Sequence, residues 1–136
     1  LNRINEKQKM KKIILNGIKV IVLFAIITVA FGGCTKKDTI PELTTADATL
    51  ITSTTAISGG SITNSGGGDL LAVGICWNTA QNPTIENSKA TDPYGQGLYT
   101  LTMNGLTPNT VYYVRAFATT PVGTGYGNEV SFTTLN

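Results

Sequence analysis

The chain has 136 residues, two cysteines, no histidine and a formal net charge of +2. That length suits one domain, and the missing histidine removes Ser-His and Cys-His nucleophile pairs together with the commonest metal ligand. Charge is unevenly placed: Arg3, Lys7, Lys9, Lys11, Lys12 and Lys19 fall in the first 33 residues, while residues 34–136 hold four basic against seven acidic side chains, a net −3. Without the leader no basic patch is left to neutralise phosphates, which excludes nucleic acid as a partner.

The first expected element is a leader. Met10, followed by Lys11 and Lys12, reads as the initiator, with residues 1–9 coming from an upstream start or Leu1 from an alternative start codon. Lys7 to Lys12 form a positive segment, and Val20 to Phe31 is apolar apart from Thr28. Twelve residues match the apolar core of a signal peptide, whereas a spanning helix needs about 20. Extending the run back to Ile13 reaches that length only by taking in Asn16, Gly17 and Lys19. An uncleaved anchor is therefore the competing reading.

Phe31-Gly32-Gly33-Cys34 closes the run and resembles the lipobox of bacterial lipoproteins, with Phe31 in place of the usual leucine. The resemblance implies a diacylglycerol on the Cys34 sulfur, cleavage just before it and acylation of the new amine. It makes residues 1–33 a signal peptide and the membrane a partner through lipid on Cys34, in the bacterial outer membrane or at the cell surface. Three acyl chains, at about 0.8 kcal/mol per buried CH₂, would hold the protein permanently.

Residues 34–42 read as a lipidated tether, polar and carrying Pro41; the eight residues after Cys34 span at most about 28 Å. From Leu43 onward Thr, Ser, Gly, Val and Tyr dominate, and turn signals recur about every ten residues. That pattern predicts an all-β domain over 43–136, a sandwich of about seven strands. The expected strands are Ala46–Ile51, Thr55–Thr63, Leu71–Asn78, Leu98–Met103, Val111–Thr119 and Asn128–Thr134. Between Asn78 and Leu98 the chain reads mainly as loop, with room for one short strand, and 123–127 reads as a hairpin turn. Gly59-Gly60 marks a bulge or a close approach. Alternation puts Leu71, Val73, Ile75 and Trp77 on one core face, and Tyr112, Val114, Ala116 and Ala118 on another. The small Ala116 and Ala118 would then make room for Trp77 across the sandwich.

The segment Leu106-Thr107-Pro108-Asn109-Thr110-Val111-Tyr112-Tyr113-Val114-Arg115-Ala116 closely resembles the fibronectin type III pattern, an immunoglobulin-like β-sandwich. The resemblance implies a turn set by Pro108, a core cap from Leu106, and a Tyr112 hydroxyl bonded to upstream backbone. Gly127 to Thr134 is similar to the last strand of that family. Its usual tryptophan on the second strand is absent, and Trp77 on the third is the expected substitute. Cys76, without a partner once Cys34 carries lipid, reads as a small buried hydrophobe.

No catalytic, cofactor-binding or metal-binding constellation can be assigned. The glycine runs lack the lysine and helix of a phosphate cradle, and the carboxylates are scattered, which leaves a small hydrolase without a cleft. Tyr94 and Tyr126 lie among glycines in expected loops, where amphipathic rings suit contact with sugars or protein; the alternative is that each packs on its own hairpin. The expected function is a non-enzymatic, membrane-anchored envelope lipoprotein that presents its sandwich for adhesion or for protein or glycan binding. A structural spacer or accessory subunit of an outer-membrane complex is the alternative.

Overall fold

A computed structural model describes residues 37–95 and 97–136. The expected signal peptide and Cys34 lie outside the described residues. Eight strands form: β1 (Glu42–Thr45), β2 (Thr55–Asn64), β3 (Ala72–Asn78), β4 (Ser88–Thr91), β5 (Leu98–Asn104), β6 (Val111–Thr120), β7 (Gly123–Tyr126) and β8 (Val130–Thr133). One sheet has the order β1-β2-β5; the other has β4-β3-β6-β7, with β8 also paired to β6. Every pairing is antiparallel.

β7 pairs with Phe117 to Thr120 and β8 with Val111 to Val114, while β3 lies along Tyr113 to Thr119. β3 therefore holds one edge of β6, and β7 and β8 share the other as two halves of one broken strand. The break leaves the Ala116 backbone without a complete ladder partner. The opposite sheet repairs it: the Ala116 N–H donates to Thr45 Oγ1 at 2.9 Å, and the Thr45 N–H donates to Asn128 Oδ1 at 2.9 Å. A buried N–H must find an acceptor, and here β1 supplies it.

The core lies between the sheets. Val73, Ile75, Trp77, Tyr112, Val114, Ala116 and Ala118 from one sheet meet Leu43, Ala56, Tyr99 and Met103 from the other. Tyr99 crosses the whole layer, and its hydroxyl donates to the Gly74 carbonyl at 2.9 Å. Gly60 makes room for that ring: a Cβ there would lie 2.5 Å from Ala116 Cβ and 2.8 Å from Tyr99 Oη. The glycine pair is thus a close approach inside an unbroken β2–β5 ladder.

Five sequence expectations are corrected. The first strand is Glu42–Thr45; residues 46–51 run as loop with one bridge, Thr49 to Ile57. Residues 39–42 belong to the fold: the Thr39 N–H donates to the Gly66 carbonyl at 2.9 Å, and Pro41 is buried. The glycine-rich stretch 123–126 is a strand, because backbone pairing with β6 demands little of its side chains. Leu71 precedes β3 and is 65% exposed, since the alternation runs on past the strand end. Trp77 and the two alanines also share a sheet, with Trp77 opposite Val114 and Ile75 opposite Ala116. It is therefore Tyr99, from the facing sheet, that uses the space above Ala116.

Candidate functional site

The strands run between two poles. Residues 37–41, 65–71, 92–95 and 121–122 gather at the near pole, where the chain enters β1. The far pole holds 46–54, 79–87, 105–110 and the last residues, 134–136. The near pole carries a groove of about 790 Å³ whose lining includes Ile62, Asp69, Leu70, Leu71, Val73, Asp92 and Tyr94.

Each wall has a local cause. The 92–95 turn is built by the Asp92 carboxylate, which accepts from the Gly95 N–H at 3.0 Å and the Tyr94 N–H at 3.4 Å. Such side-chain-to-backbone bonds are what aspartate offers a turn. They leave the Tyr94 ring outside the fold, 86% exposed. The other wall is the 65–71 loop. It is held to the lead-in segment at Gly66, whose φ of +77° only glycine adopts readily and where a Cβ would fall 2.0 Å from the Thr39 carbonyl oxygen. Leu71 is positioned by its N–H, which donates to the Thr119 carbonyl at 2.8 Å. The base is apolar, with buried Val73 and half-buried Ile62 and Leu70.

Tyr126 does not join this groove. Its hydroxyl accepts from the Ile85 N–H at 3.2 Å, and the Arg115 guanidinium carbon sits 4.8 Å from the centre of its ring. Arg115 Nε also donates to the Gly127 carbonyl at 3.0 Å. Tyr126 thus clamps the 79–87 segment to the sheet, helped by Glu129, whose carboxylate accepts from the Asn82 N–H.

Under that clamp lies Cys76, a free and fully buried thiol within 3.5 Å of the Pro83 carbonyl and 3.6 Å of the Arg115 carbonyl. Burial pushes its pKa from about 9 to about 11, with Arg115 pulling weakly the other way. A thiol held protonated is a poor nucleophile. Phe117 covers the same outer face, its ring edge over Gly74.

The motif residues cluster at the far pole. The Tyr112 hydroxyl accepts from the Thr107 N–H at 3.1 Å, and its ring stacks on Phe132 with centroids 5.9 Å apart. Leu106 is buried beneath the turn and Pro108 is exposed on it. Trp77 is buried in the core. Among the described residues no three His, Cys, Asp or Glu side chains gather as metal ligands.

Sequence reasoning singled out Tyr94 but not the groove beside it. The groove's other rim and base come from Leu71, Leu70 and Ile62, brought to one pole by strand pairing rather than by spacing along the chain. Its two carboxylates differ in circumstance: Asp92 is committed to two backbone donors and Asp69 is exposed. The arrangement combines an apolar base and an exposed aromatic ring with polar loop residues, Ser65, Asp69 and Asp92.

No protein-family model matches the chain, and no curated protein matches it. Solved structures do. A short form of the sensor domain of the anti-sigma factor RsgI4 from Pseudobacteroides cellulosolvens is 17% identical with a TM-score of 0.52, covering 71% of this chain and 96% of that one. The solution structure of the same sensor domain is 22% identical with a TM-score of 0.51, covering 71% and 76%. A crystal structure of titin domains A168-A170 is 14% identical with a TM-score of 0.50, covering 73% of this chain and 32% of that one. The fold is an immunoglobulin-like, fibronectin type III-like β-sandwich. Counting β7 and β8 as one interrupted strand gives seven strands, three in one sheet and four in the other. At these identities the likeness is one of fold.

Proposed function

We propose that this protein is a non-enzymatic envelope lipoprotein, tethered through lipid on Cys34, whose sandwich presents a surface for protein or glycan contact. The observation that carries the reading is the junction of address and fold. A lipobox-like cysteine stands five residues before Thr39, the first residue pinned to the sandwich. A domain this small, held by so short a lead, acts at the surface that carries it. Among the described residues the single free thiol is buried and protonated, which favours contact over chemistry.

Metabolic labelling of the full chain with an alkyne fatty acid in a Gram-negative host tests the anchor. We expect label in the membrane fraction, lost in Cys34→Ala. An unlabelled wild-type protein, or label that survives the substitution, refutes it. Retention on a glycan array would identify the contact as a sugar, and a stoichiometric envelope protein after cross-linking would identify it as a partner subunit.

A spacer role is favoured by one feature. The chain enters at the near pole and its last residues leave at the far pole, so the domain sets a distance between whatever is joined at its two ends.

A further inference from the structure

Among the described residues, five of the eight exposed large apolar side chains lie at the near pole. Leu71, Tyr94 and Leu98 are 65%, 86% and 78% exposed, and Ile40 in the lead-in and Val122 in the β6–β7 turn are about half exposed. The far pole shows Leu50, Val111 and Leu135, spread over a loop, a strand start and the last residues. Clustered exposed apolar groups mark a contact surface.

The lead-in decides what covers this one. Thr39 is fixed to Gly66 at the near pole. Five chain steps separate it from Cys34, which reach at most about 18 Å when fully extended. β6 alone, ten residues long, carries the far pole about 33 Å further away. An acyl chain on Cys34 therefore brings the bilayer to the pole that bears the exposed leucines and the tyrosine.

We propose that the near pole rests on the bilayer that holds Cys34, with Leu71, Tyr94 and Leu98 seated at the headgroup–acyl boundary and the far pole facing outward. This rests on the lipid-anchor reading above. A tyrosine ring with its polar tip suits that boundary, and leucines at its side add buried apolar area. Charge does not drive the contact, because Lys36 and Lys37 are outnumbered by Asp38, Glu42, Asp69 and Asp92. A zwitterionic surface is thus sufficient. The partner-binding surface is then the far pole and the outer sheet faces.

The test uses the full-length lipidated protein in phosphatidylcholine vesicles, with Tyr94→Trp compared to Leu50→Trp. Trp77 is common to both and buried. Replacing the lipid with dibrominated phosphatidylcholine should quench position 94 at least three-fold more than position 50. Adding Leu71→Ser and Leu98→Ser, both at exposed sites, should lower that quenching. Equal quenching at the two positions, or stronger quenching at position 50, overturns the orientation. So does a position 94 that is shielded from water yet unquenched, the outcome expected if a protein covers the pole. Mass spectrometry of the amino-terminal peptide separates the two readings. An unmodified Cys34 refutes both, whereas a lipid-modified Cys34 with position 94 unquenched refutes this one alone.

Discussion

Tyr99 shows how one side chain ties the two sheets together. Its hydroxyl is buried and meets the Gly74 carbonyl on the far side of the core, a contact possible only because Gly60 and Ala116 leave the space. Tyr99→Phe keeps the ring and removes the bond, so we expect a loss of about 1–2 kcal/mol, read as a lower urea midpoint with an unchanged slope. An unaltered midpoint would mean that the hydroxyl contributes nothing. This contact was invisible in the sequence, since β5 meets β3 only through tertiary packing. Tyr112 is a different case. Its hydroxyl bond to Thr107 spans five residues, within reach of a local pattern around Pro108. Leu71 misled for a third reason: alternation states which side a residue faces, but not where the strand stops.

Between elements, the edge strand is interrupted after Tyr126. Thr45 closes the break by offering its hydroxyl to the Ala116 N–H. Thr45→Val preserves shape and strands that donor, at a cost of about 1–3 kcal/mol. Thr45→Ser should recover most of the loss, and chemical denaturation of both variants checks it; a valine variant as stable as the wild type would show that the hydroxyl contributes nothing. Strands with bulky alternating residues, such as β6, were legible from side-chain pattern alone. β1 was not, because Glu42–Thr45 is short and its identity depends on what it pairs with. β7 was disguised by glycine. At Gly125 a Cβ would fall 1.9 Å from the Pro41 carbonyl oxygen, so close approach of the lead-in segment selects the residue that makes the strand look like a turn.

For the molecule as a whole, buried acids set the alkaline limit. Cys76 is held protonated up to about pH 11 in the fold, mainly by burial, against an ordinary value near 9. The unfolded chain therefore gives up this proton first. The stabilisation is complete below about pH 9 and fades as pH rises toward 11. Burial pushes the Tyr99 hydroxyl upward as well, helped by the Asp92 charge, so its contribution is lost at still higher pH. The urea midpoint should fall between pH 8.5 and 11 (about the span of the Cys76 change), and Cys76→Ala should flatten the first part of that fall. A midpoint that holds or rises would contradict the burial argument. The position of the two chain ends has a mechanical consequence. A pull exerted through the lead-in segment against something gripping the last residues acts along the strand axes, and it reaches Thr39 and Gly66 before β1. The rungs between β1 and β2 are then strained in parallel, as in shear, and do not open one after another like a zip. A domain loaded in this way resists sudden tugs best along the line that joins Thr39 to its last residues.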